Sequence, residues 1–201
     1  CFVIYTPGVK PQVIYYQPVD YWHKPPEAPS GFWNEKFDVH VITEPDQAKQ
    51  FIPKGKVAFI GEWADRFKSW GKIEPNPEGL LTRLHWDRAW KTEYEIECLR
   101  FANESGARGH QAAEKAFRAG ESEYEIHLAY LRAANHTEEE LPYGNIIAVN
   151  ENAAVLHYYH HDRERLSDKE RHSFLIDAGA SFGFGDLELS NRERQIAEAV
   201  L

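Results

Sequence analysis

Apolar and polar residues alternate in short bursts through the first third of the chain and settle into a helical rhythm only past residue 90. Phe2–Tyr5 and Val13–Tyr16 are β-branched and aromatic runs, and Thr6-Pro7-Gly8-Val9-Lys10-Pro11 between them carries turn residues, so the stretch predicts a hairpin. Residues 17–35, rich in Pro, Trp and Tyr, predict an ordered connection without a helix. Val39–Ile42 and Val57–Ile60 predict two further strands. Between them Glu44–Phe51 places Ala48 and Phe51 three apart, which suits a short helix. Strand, helix, strand in that order favours an α/β layer. Ile73-Glu74-Pro75-Asn76-Pro77 predicts a linker, because its two prolines resist both a helix and a central strand.

The second half has a different texture. Thr92-x-x-Glu95 and Ser122-x-x-Glu125 are capping-box patterns, in which hydroxyl and carboxylate each satisfy a backbone N–H of the helix start. Apolar residues follow each at helical spacing. The expectation is a helix over 93–117 and a second after Ser122, joined at Ala119-Gly120, with Tyr94, Leu99, Leu128 and Leu131 buried. Beyond Pro142 the pattern predicts strands at Ile146–Val149, Ala154–Tyr158 and Ser173–Ile176. Helices followed by strands imply an α+β domain.

Composition narrows the function classes. Lys and Arg total 23 against 32 Asp and Glu, a net charge of −9. That argues against a nucleic-acid partner, which needs clustered cations to displace counterions from phosphates. Runs such as Phe2–Tyr5 and Ile146–Val149 are far short of the roughly 20 apolar residues that span a bilayer, so no membrane segment is expected, and no secretory leader is visible. The two cysteines, Cys1 and Cys98, lack metal spacing and are expected as free thiols in a reducing, cytoplasmic setting. The chain starts at Cys1 and has no Met, so it is expected to be part of something longer.

Three segments carry candidate chemistry. Phe174-Leu175-Ile176-Asp177-Ala178-Gly179-Ala180 puts a carboxylate at the end of an apolar strand, followed by small residues that allow close approach. With Asp186 nine residues on, it offers two oxygen donors for hard divalent cations, or simply a turn residue. His157-Tyr158-Tyr159-His160-His161-Asp162-Arg163, read as a strand, places 157, 159 and 161 on one face: a metal cluster or exposed histidines at a strand end. Leu141-Pro142-Tyr143-Gly144-Asn145 offers hydrogen-bonding side chains around a glycine, or a turn into a strand.

Taken together, Pro142–Ala148, Asn150–Tyr158 and Ser173–Ala180 closely resemble the bacterial Xaa-Pro dipeptidases (prolidases) of the pita-bread metallopeptidases, whose relatives include the organophosphorus acid anhydrolases. Pro18-Val19-Asp20-Tyr21-Trp22-His23-Lys24 and Arg88–Glu95 extend the resemblance upstream, to cover residues 1 to about 182. It implies part of an N-terminal α/β domain over 1–85 and the first half of an α+β pita-bread catalytic domain over 86–201. It also implies two divalent metals, usually manganese, bridging a water of lowered pKa, and a homodimer. Asp177 matches the first metal-ligating Asp, and His157 the histidine beside the reacting carbonyl. Tyr143 falls where relatives line the substrate pocket. Asp186 is the second metal ligand on this reading. The family's own residue lies two positions later, where this chain has Glu188.

The expected activity is hydrolysis of dipeptides with a C-terminal proline. Two other readings are a truncated, non-catalytic pita-bread homologue that binds or dimerises, and an organophosphorus anhydrolase with the same metals. The later His and two Glu ligands of the family have no counterpart here, so the 201 residues alone are expected to be inactive.

Overall fold

A computed structural model describes residues 1–22 and 27–182. They fall into two compact units, the first spanning Cys1–Thr92 and the second starting at Glu93.

In the first unit the hairpin forms as expected: β1 (Phe2–Ile4) runs antiparallel to β2 (Gln12–Tyr16), with Val3 opposite Val13. β2 then pairs in parallel with β3 (Asp38–Ile42), Ile14 opposite His40. Ile14, Ile42 and Ala48 make the core of this sheet, with Phe2, Ile4, Phe51 and Trp70 packed on it. The helix expected over Glu44–Phe51 is a 3-10 helix, Pro45–Phe51, capped by Glu44 and Gln47.

Two expectations fail here. The strand after that helix, β4 (Lys56–Phe59), does not join the same sheet but pairs in parallel with β5 (Lys72–Pro75) in a two-stranded sheet of its own. The expected linker at 73–77 is therefore mostly strand. Proline is tolerated because Pro75 is the last residue of a two-stranded edge, where one missing N–H costs little. Asn76 closes the pair, its amide accepting from Gly61 N–H and donating to Gly61 O, both at 3.0 Å. An aromatic cluster bridges the sheets within the unit: Phe59 stacks on Phe67 at 4.6 Å, and Phe2 meets Phe67 edge-on at 5.5 Å. Pro77 then caps a helix, α1 (Glu78–Ala89), that buries none of its residues within the unit.

The second unit is built on α2 (Glu93–Arg118) and α3 (Glu123–Ala134). α2 ends in a Schellman turn. Gly120, at φ +82°, donates to Phe117 O, and Glu121 donates to Ala116 O. Ser122 caps α3, accepting from Glu125 N–H while the Glu125 carboxylate reaches back to Ser122. Arg165 also binds that carboxylate and, with the bonds from Ser122, holds the Glu125 pKa down to about 2.

The buried face of α2 is Tyr94, Cys98, Ser105, Gly106, Gly109, Ala113 and Ala116. These are mostly small, so α3 comes close and sends Tyr130 and Ile126 into the gap. A Cβ on Gly109 would lie 2.6 Å from the Tyr130 ring. This is why burial of Leu99 and Leu128 was wrongly expected: close contact over small residues leaves Leu99 48% and Leu128 38% exposed on the flanks. Tyr94 is buried as expected, and Leu131 is partly buried.

β6 (Ile146–Val149), buried throughout, packs on this helix pair through Ile147. It pairs antiparallel with β7 (Phe174–Asp177), which sets Ile146 opposite Asp177. The strand expected at Ala154–Tyr158 is absent. A 3-10 turn, Asn150–Ala154, leads instead into an irregular loop, since Asn150 takes a left-handed φ of 57° that ends the extended run. Among the described residues no helix is long and apolar enough to cross a membrane.

Ile126→Ala should cost about 2–5 kcal/mol, because the side chain is fully buried. Leu128→Ala, on the flank of the same helix, should cost well under half as much. Urea midpoints of the two variants check the difference, and equal losses would refute the assignment of faces.

Candidate active site

Three elements converge at the Asp177 end of the β6–β7 ladder. Asp177 is the last residue of β7, and its Oδ1 accepts a hydrogen bond from the Tyr143 hydroxyl at 2.9 Å. The bond to Asp177, with burial and the carboxylate's charge, pushes the Tyr143 phenol above its ordinary pKa and keeps it a donor. Gly179 makes room for this contact. A Cβ there would lie 2.8 Å from Pro142 Cγ and 3.1 Å from the Tyr143 ring. Behind the strand exit, α2 contributes His110, whose Nε2 lies 3.0 Å from Ala178 O and whose ring meets Tyr130 edge-on. His136, beyond the α3 C-cap, holds Ser181 through its Nε2, with the Ser181 N–H donating at 3.2 Å.

His157 is exposed, on the irregular loop that follows the 3-10 turn. The expected alternation of strand faces does not apply, since Leu156 is 88% exposed beside it. The loop is positioned by Tyr158, which is buried. The Tyr158 hydroxyl donates to Glu123 at 2.7 Å, and Glu123 also accepts from Val149 N–H, Asn152 Nδ2 and Asp162 N–H at 2.7, 3.0 and 2.9 Å. Burial and the bond to Glu123 push the Tyr158 phenol far up. The His157 ring stacks on Tyr159 at 6.2 Å, and a Cβ on Gly144 would lie 3.3 Å from the Tyr159 ring. Asp177, Tyr143, Gly144, Tyr159 and His157 thus form one chain of contacts. The histidines of the segment divide: His157 and His160 are exposed, whereas His161 turns inward onto His127. Asp186 lies outside the described residues.

Residues 1–86 match the family model for the Xaa-Pro dipeptidase N-terminal domain, and residues 97–186 match metallopeptidase family M24. A curated Xaa-Pro dipeptidase of Aeromonas hydrophila subsp. hydrophila is 48% identical over 181 residues, covering 89% of this chain and 41% of the relative. The Xaa-Pro dipeptidase of Pseudoalteromonas haloplanktis is 46% identical over 184 residues, 90% of this chain and 41% of its own. One from Xanthomonas oryzae pv. oryzae is 48% identical over 182 residues, 90% and 40%. The two matched segments belong to the Xaa-Pro dipeptidase N-terminal domain family and to metallopeptidase family M24. The chain spans about two-fifths of the length of these relatives.

Membership in M24 implies divalent metal ions. The described residues do not by themselves fit such a centre. Among them no group of three or more His, Cys, Asp or Glu side chains comes together. Asp177 is a single carboxylate that accepts from a neutral hydroxyl, and a hard dication takes about six oxygen ligands.

Sequence reasoning missed Glu123 and His110, whereas the close approach expected at the small residues after Asp177 is found at Gly179. Glu123 lies inside the second capping box, where an acid in the first helical turn reads as ordinary dipole compensation. Its four partners come from a segment remote in sequence, and only the fold reveals them.

Glu123→Gln would turn one carboxylate oxygen into an NH2 facing donors. Whichever oxygen is replaced, at least one backbone or amide N–H loses its acceptor. The expected cost is roughly 1–3 kcal/mol for each donor so stranded. Urea unfolding of the variant measures it, and a loss within the error of the midpoint would show that the hub contributes nothing.

Proposed function

We propose that this chain is part of a metal-dependent dipeptidase that cleaves dipeptides with a C-terminal proline. The observation that carries the reading is the Tyr143–Asp177 contact beside the His157 loop, in a chain 46–48% identical to proteins named Xaa-Pro dipeptidase. On this reading residues 1–85 belong to the N-terminal domain and 86–201 to the catalytic domain. The working protein is a cytoplasmic homodimer.

Asp177 is a ligand to a centre of two divalent cations, manganese by resemblance, and Asp186 is the second ligand this chain supplies. The remaining ligands come from outside the described residues. Tyr143 has two tasks. Its hydroxyl fixes the Asp177 carboxylate, and its half-exposed ring lines the pocket that takes the dipeptide. His157 stands at the open side with its ring oriented by Tyr159. It donates to the carbonyl of the scissile bond, and the bond strengthens as charge develops on that oxygen.

The roles separate in the full-length protein loaded with manganese and assayed on Ala-Pro. Asp177→Ala should lose metal and activity together. His157→Ala should keep its metal and lose about 10²–10³ in kcat, the worth of one oxyanion donor. Metal content, melting temperature and kcat of both variants are the measurements. An unchanged kcat in His157→Ala ends the catalytic role, and absence of Ala-Pro hydrolysis in the wild type ends the dipeptidase reading.

A further inference from the structure

Beneath the candidate site lies a cluster of titratable groups that the proposed chemistry does not use. The His127 ring, on α3, stacks on the His161 ring at 4.3 Å with the planes 22° apart. His127 is 4% exposed, and Asn145 beside it is 1% exposed. His127 Nε2 lies 2.6 Å from Glu138 Oε2, and a carboxylate only accepts, so Nε2 carries the hydrogen. His127 Nδ1 faces Asn145 Nδ2 at 3.4 Å, and the amide donates to it. His161 Nε2 lies 3.2 Å from Asn145 O, so His161 donates from Nε2. One neutral tautomer of each ring satisfies all three contacts.

Asn145 therefore joins the two rings, and what it joins beyond them bears on the site. It follows Tyr143 and Gly144, and it precedes Ile146, the residue opposite Asp177. His161 lies on the loop that carries His157 and Tyr159, and Tyr159 abuts Gly144. We propose that the His127–His161 stack, joined through Asn145, is a positioning element that keeps the Tyr143 turn and the His157 loop in register, and that it holds only while both rings are uncharged. The inference rests on the reading that Tyr143 and His157 contact substrate.

Charge on either ring breaks the arrangement. A proton on His127 Nδ1 would face the Asn145 NH2, donor against donor, and force the amide to rotate. A charge on His161 would be stacked against His127. The groups facing His161 are His127 from α3, Glu138 from the 3-10 turn Glu138–Glu140, and Glu123 from the start of α3. Burial, then the neighbouring His127, hold His161 below the ordinary histidine value, against smaller opposing pulls from Asn145 O and the two carboxylates. His161 is thus neutral above about pH 6.5, and its part in the register is lost as pH falls through the lowered value.

The test uses the full-length manganese-loaded protein, with Ala-Pro as the probe, and reads kcat and KM from pH 8 downward. His161→Phe keeps a stacking ring but removes the donor to Asn145 O. At pH 8 its KM should rise about 2- to 12-fold, the worth of one hydrogen bond, and kcat should fall with it as the His157 loop loosens. The His161 part of the acid-side rise in KM expected of the wild type should vanish in this variant. His161→Gln, whose amide can donate to Asn145 O but does not titrate, should recover most of the KM at pH 8 and lose the part of the acid rise that belongs to His161, leaving only what a proton on His127 causes. It serves as well should the Phe variant not fold. Unchanged KM and an unchanged pH profile in both variants overturn the proposal. Histidine and amide NMR on the wild type gives a reading independent of turnover: the amide signals of Tyr143, Gly144 and Asn145 should shift together with protonation of His161. If the protein does not hydrolyse Ala-Pro but those signals move together, the dipeptidase reading fails and the positioning element stands. If they do not move with His161, the positioning element fails whatever the activity.

Discussion

The second unit is organised around one buried carboxylate. Glu123 is 2% exposed and occupies the first position of α3. Taking a carboxylate out of water costs several kcal/mol unless its lone pairs are matched. Here four donors match them, and the positive end of the helix dipole adds to the attraction. The donors come from the end of β6, the turn after it, Tyr158 and the backbone of Asp162. A single group thereby ties a helix start to a strand end and to a loop without regular structure. Without it, the segment from Asn150 to Asp162 would lack its shared anchor, and His157 would have no fixed base.

The helix pair meets the same need for close approach in a different way. Small residues on α2 let Tyr130 and Ile126 of α3 fill the space, and Ile147 of β6 completes the layer. Gly106 and Gly109 also bring α2 near the strand exit, where Gly106 faces Ala180 and His110 meets Ala178 O. The backbone after Asp177 is held from behind by the helix and from the front by Pro142 and Tyr143. Asp177 has little room to wander.

Much of this was legible in the sequence. The Ser122 box, the Gly120 turn, the β1–β2 hairpin and the apolar runs of β6 and β7 are decided by nearest-neighbour chemistry, so pattern reading finds them. Asp177 and Tyr143 were singled out separately, and the fold joins them by a hydrogen bond. What escaped depends on partners far along the chain. Pairing of β4 with β5 made a strand out of a proline-rich segment. The burial of Glu123, and the exposure of Leu99 and Leu128, follow from how closely two helices approach. The loop at 155–161 looks extended in its residue types but has no strand to pair with, so its side chains answer to Glu123 and Asn145 and not to a pleat.

The β6–β7 ladder has a consequence for the order in which the unit can form. The α2–α3 hairpin closes over a few residues at Ala119–Glu121, and β6 follows α3 closely in sequence. β7 pairs with β6 only after the whole stretch from Asn150 to Ser173 has been looped back, and loop closure costs more entropy as the loop lengthens. Asp177 is the last residue of that strand. The carboxylate of the candidate site is therefore among the last groups to reach its place. A folding intermediate with helices and β6 docked would hide most of the apolar core while having no site at all, so recovery of native-like helix content in refolding would run ahead of recovery of the Tyr143–Asp177 contact.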